Sequence, residues 1–123
     1  DFEILVDADE EMISSVFRNL ISNAIKFTNQ EGFIKIGMRI EAGFVVVSFI
    51  DNGIGIDEVT QSKLFKVGER VTRYGTNDEE GSGLGLILSK EFIAKNDGDI
   101  WVESKIGEGS TFNVKIPISK SNH

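Results

Sequence analysis

Asn19, Asn23 and Lys26 stand at i, i+4 and i+7, a spacing that strings two carboxamides and an ammonium along one line of a helix. A carboxamide offers an acceptor oxygen and a donor nitrogen together. Such a line can therefore hold a hard cation or its waters beside a phosphate, with Lys26 adding a point charge. The plainer alternative is the solvated shoulder of an amphipathic helix. Asparagine is a poor helix former, which weighs against it. Further along, Gly81-Ser82-Gly83-Leu84-Gly85-Leu86 opens directly into the apolar run ILSKEF. Every glycine there loses more backbone entropy on folding than another residue would. Either a loose loop happens to meet a helix, or bare backbone lets the N–H groups of a first helical turn approach an anion.

A third stretch, Asp51-Asn52-Gly53-Ile54-Gly55-Ile56, follows the apolar run FVVVSFI. Asp-Asn-Gly is common turn chemistry. However, Asp51 closes a strand that reads as buried, where a carboxylate without donors is costly. An adenine exocyclic amine would supply a donor, and Gly53 and Gly55 would let a flat base lie close to the backbone. A hydrogen bond to a charged acceptor contributes about 1.5–3 kcal/mol, enough to discriminate against a base lacking the amine.

These groups need elements to position them. FEILV at residues 2–6 alternates as a strand. Asp7-Ala8-Asp9-Glu10 then caps a helix from about Asp9 to Phe27, with Ile13, Val16, Phe17, Leu20, Ala24 and Phe27 at helical spacing. Residues 33–51 read as a hairpin turning at Glu41-Ala42-Gly43, its first strand half-buried through Ile34, Ile36, Met38 and Ile40. A short helix is predicted near Val59–Phe65 and a longer one from GSGLGL to Asn96, stopped by Asp97-Gly98. Strands follow over 100–104 and 110–118. Between the two helices, residues 68–81 are polar and dotted with glycine, too long for an ordinary connection. They bury too little to offset their ordering entropy, so a lid, mobile when empty, is expected there. Helices and hairpins alternate without regular βαβ units, which favours an α/β sandwich: a mixed, mostly antiparallel sheet with helices on one face.

Composition narrows the function. The 123 residues suit one domain (1–118) with a solvated tail over 119–123. A net charge of −7 argues against a nucleic-acid surface and requires any phosphate site to bring its own donors or a metal. Cysteine is absent, which excludes disulfides and thiolate metal sites and permits a cytoplasmic setting. The single histidine, His123, stands last, so histidine-based catalysis within this chain is not expected.

Five motifs in this order resemble the catalytic and ATP-binding domain of sensor histidine kinases, over nearly the whole chain. RNLISNAIKFT (18–28) is similar to its asparagine box, DNGIGI to its first glycine box, KLF (63–65) to its phenylalanine box, GSGLGLILSKEF to its second glycine box, and IWVESKIGEGSTF (100–112) to its closing strand pair. The resemblance implies a Bergerat-type sandwich with about three helices, and ATP with Mg²⁺ held between the helices and a lid at about 67–82. By the same resemblance Asn23 ligates the metal, and Asn19 and Lys26 contact the phosphates. Arg70 reaches the γ-phosphate and Phe27 packs near the nucleoside. Asp51 reads adenine beside Gly53, Gly55 and Ile56, and Thr111 lends a nearby hydroxyl. Gly81, Gly83, Leu84, Gly85 and Leu86 cradle the triphosphate. One departure touches the lid: the family often repeats the aromatic three residues on, whereas Lys66-Val67-Gly68 follows Phe65. ATP hydrolases of the same fold carry a glutamate four residues before the metal-binding asparagine. Asn19 stands there, and an amide cannot accept water's proton. The implied activity is phosphoryl transfer to a histidine on a separate dimerisation domain, upstream of a response regulator. A nucleotide-binding regulatory domain is the other alternative. The chain is expected to be monomeric.

Overall fold

The start of the first helix is set by Asp9, whose carboxylate accepts from the Met12 backbone N–H at 3.0 Å and satisfies one of the donors that a helix leaves orphaned. The helix α1 runs Glu10–Lys26, acidic in its first turn and basic in its last, as its dipole favours. The structure, a computed structural model, describes residues 8–26, 28, 32–65, 73–74, 80–81 and 84–118. The expected strand at 2–6, Phe27, Arg70, Gly83 and the tail with His123 lie outside them.

The hairpin forms as read: β1 (Ile34–Glu41) and β2 (Phe44–Asp51) are joined by a two-residue turn. Both turn residues are left-handed, Ala42 at φ 48° and Gly43 at φ 86°, which matches the twist of the flanking strands. After helix α2 (Glu58–Lys63) come two-residue strands β3 (Arg73–Tyr74) and β4 (Glu80–Gly81), which pair antiparallel. This small ladder, carrying Gly81, was not expected within the polar segment. Helix α3 (Leu84–Lys95) leads to β5 (Asp99–Lys105) and β6 (Gly109–Pro117). The main sheet has the order β1-β2-β6-β5, and every described pairing in it is antiparallel.

Helices α1 and α3 pack against each other and on one face of that sheet. Val16 and Leu20 from α1, Leu86 and Ile93 from α3, and Val45, Phe49, Phe112, Val114 and Ile116 from the strands form the core. Phe17 meets Phe49 edge to face with ring centroids 5.4 Å apart. Each fully buried apolar side chain contributes roughly 1.5–3 kcal/mol, so this layer fixes how the helices stand above the strand ends. Among the described residues no helix is long and apolar enough to cross a membrane.

One expectation about an element is corrected. Strand β1 is not half-buried: Ile34, Ile36, Met38 and Ile40 are 37%, 54%, 51% and 60% exposed. They lie opposite Asp51, Phe49, Val47 and Val45, and so on the helix-bearing face. But β1 is the edge of the described sheet, and α1 sits over β2. Helix α3 stops at Asp97-Gly98 as read, with Asp97 left-handed at φ 61°. The Gly98 and Asp97 N–H groups return to Ile93 and Ala94 carbonyls at 3.0 and 3.1 Å, a Schellman cap. Gly98 is needed for space, because a Cβ there would stand 2.1 Å from the Lys115 carbonyl oxygen.

Candidate functional site

The carboxamide line on α1 does not face open solvent. Asn19 turns toward α3, where its Nδ2 donates to the Gly85 carbonyl and to Ser89 Oγ, both at 3.3 Å. Ser89 is fully buried and donates to the same Gly85 carbonyl at 2.8 Å. Asn19 thus ties α1 to the first turn of α3 through its nitrogen. One turn on, the Asn23 carboxamide makes no hydrogen bond with any described residue. Its neutral oxygen is the hard donor that Mg²⁺ takes. That oxygen, one turn from the Asn19 contact with α3, fits the metal the resemblance implies. Among the described residues no group of three His, Cys, Asp or Glu is placed to hold a metal, so an ion here would draw on carboxamide, phosphate and water oxygens.

Gly85 occupies the first turn of α3. A Cβ there would meet Asn19 Cγ at 3.4 Å, an ordinary contact. Helix packing therefore does not require this glycine. What it omits is a side chain at the helix N-terminus, where the dipole favours an anion. Leu86, next along, is core, 4% exposed. Leu84 begins the helix.

At the strand ends Asp51 is buried, 7% exposed, and its Oδ1 accepts from the Gly53 N–H at 2.9 Å. Two glycines around it have a packing reason of their own. Gly55 adopts φ +77°, and a Cβ would stand 2.2 Å from the Lys105 carbonyl oxygen. It admits the β5–β6 turn. Gly109, at φ +105°, faces the Asp51 carbonyl oxygen in the same way at 2.0 Å. Ile56 is buried beneath this junction, 3% exposed.

Thr111 lies on the other face of the sheet from Asp51, though both line the same recess at the strand ends. The register sets Ile50 opposite Thr111 and Asp51 opposite Ser110. Thr111 therefore points away from the face that carries Asp51, and Ser110 supplies the hydroxyl on that face. Ser110 Oγ lies 2.7 Å from Ser104 Oγ, which accepts from the Ile56 N–H at 2.8 Å. The parity of Phe112, Val114 and Ile116, all core-facing, carried the signal that Ser110 shares their side. Ser89 and Ser104 had no such signal, because their partners come from distant segments.

Comparisons with known proteins give the family. Residues 8–120 match the family model described as histidine kinase-, DNA gyrase B- and HSP90-like ATPase. The chain belongs to this family. It is 41% identical over 114 residues to the adaptive-response sensory kinase SasA of Gloeothece citriformis, covering 92% of this chain and 28% of that protein. With the sensor histidine kinase WalK of Bacillus subtilis it shares 34% over 119 residues, 95% of this chain and 20% of the relative. The chain thus spans less than a third of the length of these curated relatives. A nucleotide-free catalytic domain of histidine kinase ThkA superposes with a TM-score of 0.76 at 32% identity, covering 96% of this chain and 74% of that one. Full-length ShkA in complex with AMPPNP gives 0.78 at 25% identity, over 98% and 24% of the two chains.

Proposed function

We propose that this chain is the ATP-binding catalytic domain of a two-component sensor histidine kinase. The observation that carries the reading is one geometry: a buried carboxylate at the strand ends, a carboxamide on α1 with no hydrogen bond to a described residue, and a glycine in the first turn of α3 that packing does not require. Asp51 would accept from the adenine amine, with the Gly53 N–H and Ser110 on the same face. Asn23 would hold Mg²⁺, which when bound neutralises phosphate charge and orients the γ-phosphoryl group. Lys26 would add positive charge beside it. Asn19 would act by fixing α3 against α1, while Phe27, Arg70 and Gly83 keep the roles the resemblance implies.

In the reaction a histidine nitrogen on the parent's dimerisation domain attacks the γ-phosphorus. The bond to the β-phosphate oxygen breaks and ADP leaves; the imidazole proton passes to a base outside this chain. The domain supplies positioning and charge compensation, after which a response regulator takes the phosphoryl group. The parent protein works with this domain in the cytoplasm, and the isolated domain is monomeric. ATP hydrolysis as the main activity is disfavoured by Asn19, whose amide is engaged with α3 and is no base.

The test mixes this domain with ATP, Mg²⁺ and the parent's acceptor domain. Acid-labile phosphohistidine on the acceptor supports the reading. Steady release of inorganic phosphate with no phosphohistidine would reassign the domain to the hydrolases.

A further inference from the structure

Gln61, on α2, has been given no role so far, yet it joins two segments that flank Asp51. Its Nε2 donates to the Ile56 carbonyl at 2.6 Å and to the Ser104 carbonyl at 3.0 Å. A carboxamide nitrogen has two hydrogens, and each goes to a different segment. One holds the loop that follows Asp51, the last residue of β2; the other holds the end of β5, where Ser104 reaches Ser110. Two more bonds join the same segments, Ile56 N–H to Ser104 Oγ at 2.8 Å and Gly107 N–H to the Ile54 carbonyl at 3.0 Å. The direction in which Gln61 points is set from its own helix. Asp57 caps α2, and the Gln61 N–H returns to the Asp57 carbonyl at 2.9 Å, so the side chain one turn on reaches back to Ile56.

We propose that Gln61 is a positioning residue for base recognition, holding the Asp51–Ile56 loop at a fixed distance from the Ser104–Ser110 wall. The inference rests on the nucleotide reading of the site. Asp51 can favour adenine only if the ring is held in register with its carboxylate, and that register depends on the separation of the two walls. Loosening them weakens the adenine bond and does little to a base that never made it.

Two substitutions of similar length separate donor chemistry from packing. Gln61→Met keeps the bulk and removes both donors, and Gln61→Glu sets an ionised acceptor against two carbonyls at neutral pH. ADP and GDP affinities are measured by calorimetry for the wild-type domain and both variants, with thermal unfolding without nucleotide as a control. We expect ADP affinity to fall about tenfold in Gln61→Met, the scale of one or two hydrogen bonds, and further in Gln61→Glu. GDP affinity should change less than twofold or so, shrinking the ADP preference. A purely structural defect lowers both nucleotides alike and leaves their ratio unmoved, so a ratio equal to wild type overturns the proposal even if stability drops. Wild-type protein that binds neither nucleotide, or both equally, would instead remove the nucleotide reading itself.

Discussion

Asp51 is buried beside a backbone donor, so its carboxylate is committed to accepting. Adenine offers an amine at the position it faces, while guanine offers a carbonyl oxygen. ATP should therefore bind more tightly than GTP by about 1.5–3 kcal/mol, roughly tenfold to a hundredfold. Asp51→Asn can rotate its amide to donate, so the preference should collapse with little change in thermal stability; competition binding of ATP and GTP measures it. Asp57 makes a pH-dependent contribution of a different kind. The Thr60 backbone N–H and hydroxyl, at 2.7 and 2.9 Å, hold its carboxyl below the ordinary aspartate value. Because the folded pKa is the lower one, the stabilisation is complete above the ordinary aspartate range and is lost as pH falls through the folded value. The melting temperature of Asp57→Ala should lie below wild type at neutral pH, and the gap should close in acid. A constant gap would mean the cap works without its charge.

At the scale of elements, glycines that look alike in sequence do opposite things. Gly55 and Gly109 sit at positive φ with carbonyl oxygens 2.2 and 2.0 Å from where a Cβ would be. Gly109→Ala must push the β5–β6 turn from the Asp51 loop, and should cost on the order of 1–3 kcal/mol or more. Gly85 has ordinary space and helical geometry, so Gly85→Ala should be neutral or stabilise by up to about 1 kcal/mol. The methyl would nonetheless stand on the first turn of α3, beside Asn19. Triphosphate affinity should fall while the melting temperature holds or rises. Unchanged ATP affinity in a stable Gly85→Ala protein would mean that no phosphate approaches this turn.

For the whole molecule, a ligand that bridges α1, α3 and the strand ends stabilises only the folded state. At a hundred times its dissociation constant, a nucleotide should add about 2.7 kcal/mol. For a chain of this size that raises the melting temperature on the order of 10 °C. With Asn23→Ala the Mg²⁺-dependent part of the rise should disappear and the metal-free part should remain. Calorimetric scans of both proteins, with and without Mg²⁺, read this directly. Equal losses in the two conditions would give Asn23 a packing role instead.

Local pattern determined much of this protein. The helical spacing of Val16, Leu20 and Ala24, the Asp9 cap and the Ala42-Gly43 turn specify α1 and the hairpin through neighbours within a few residues, and the structure reproduces them. Asn23 and Asp51 stand out in the sequence as candidates because a carboxamide mid-helix and a carboxylate at a buried strand end are costly wherever they occur. What local pattern does not contain is which distant segment lies opposite. The parity that sets Ser110 rather than Thr111 on the Asp51 face comes from the pairing of β2 with β6. The exposure of Ile36 and Met38 follows from β1 lying at the edge of the described sheet, and the need for Gly55 from Lys105, fifty residues on. Asn19 and Gln61 gain their partners only when α3 and β5 arrive. A side chain's own chemistry sets what it can bond, and only the packed fold decides which partner is within hydrogen-bond reach.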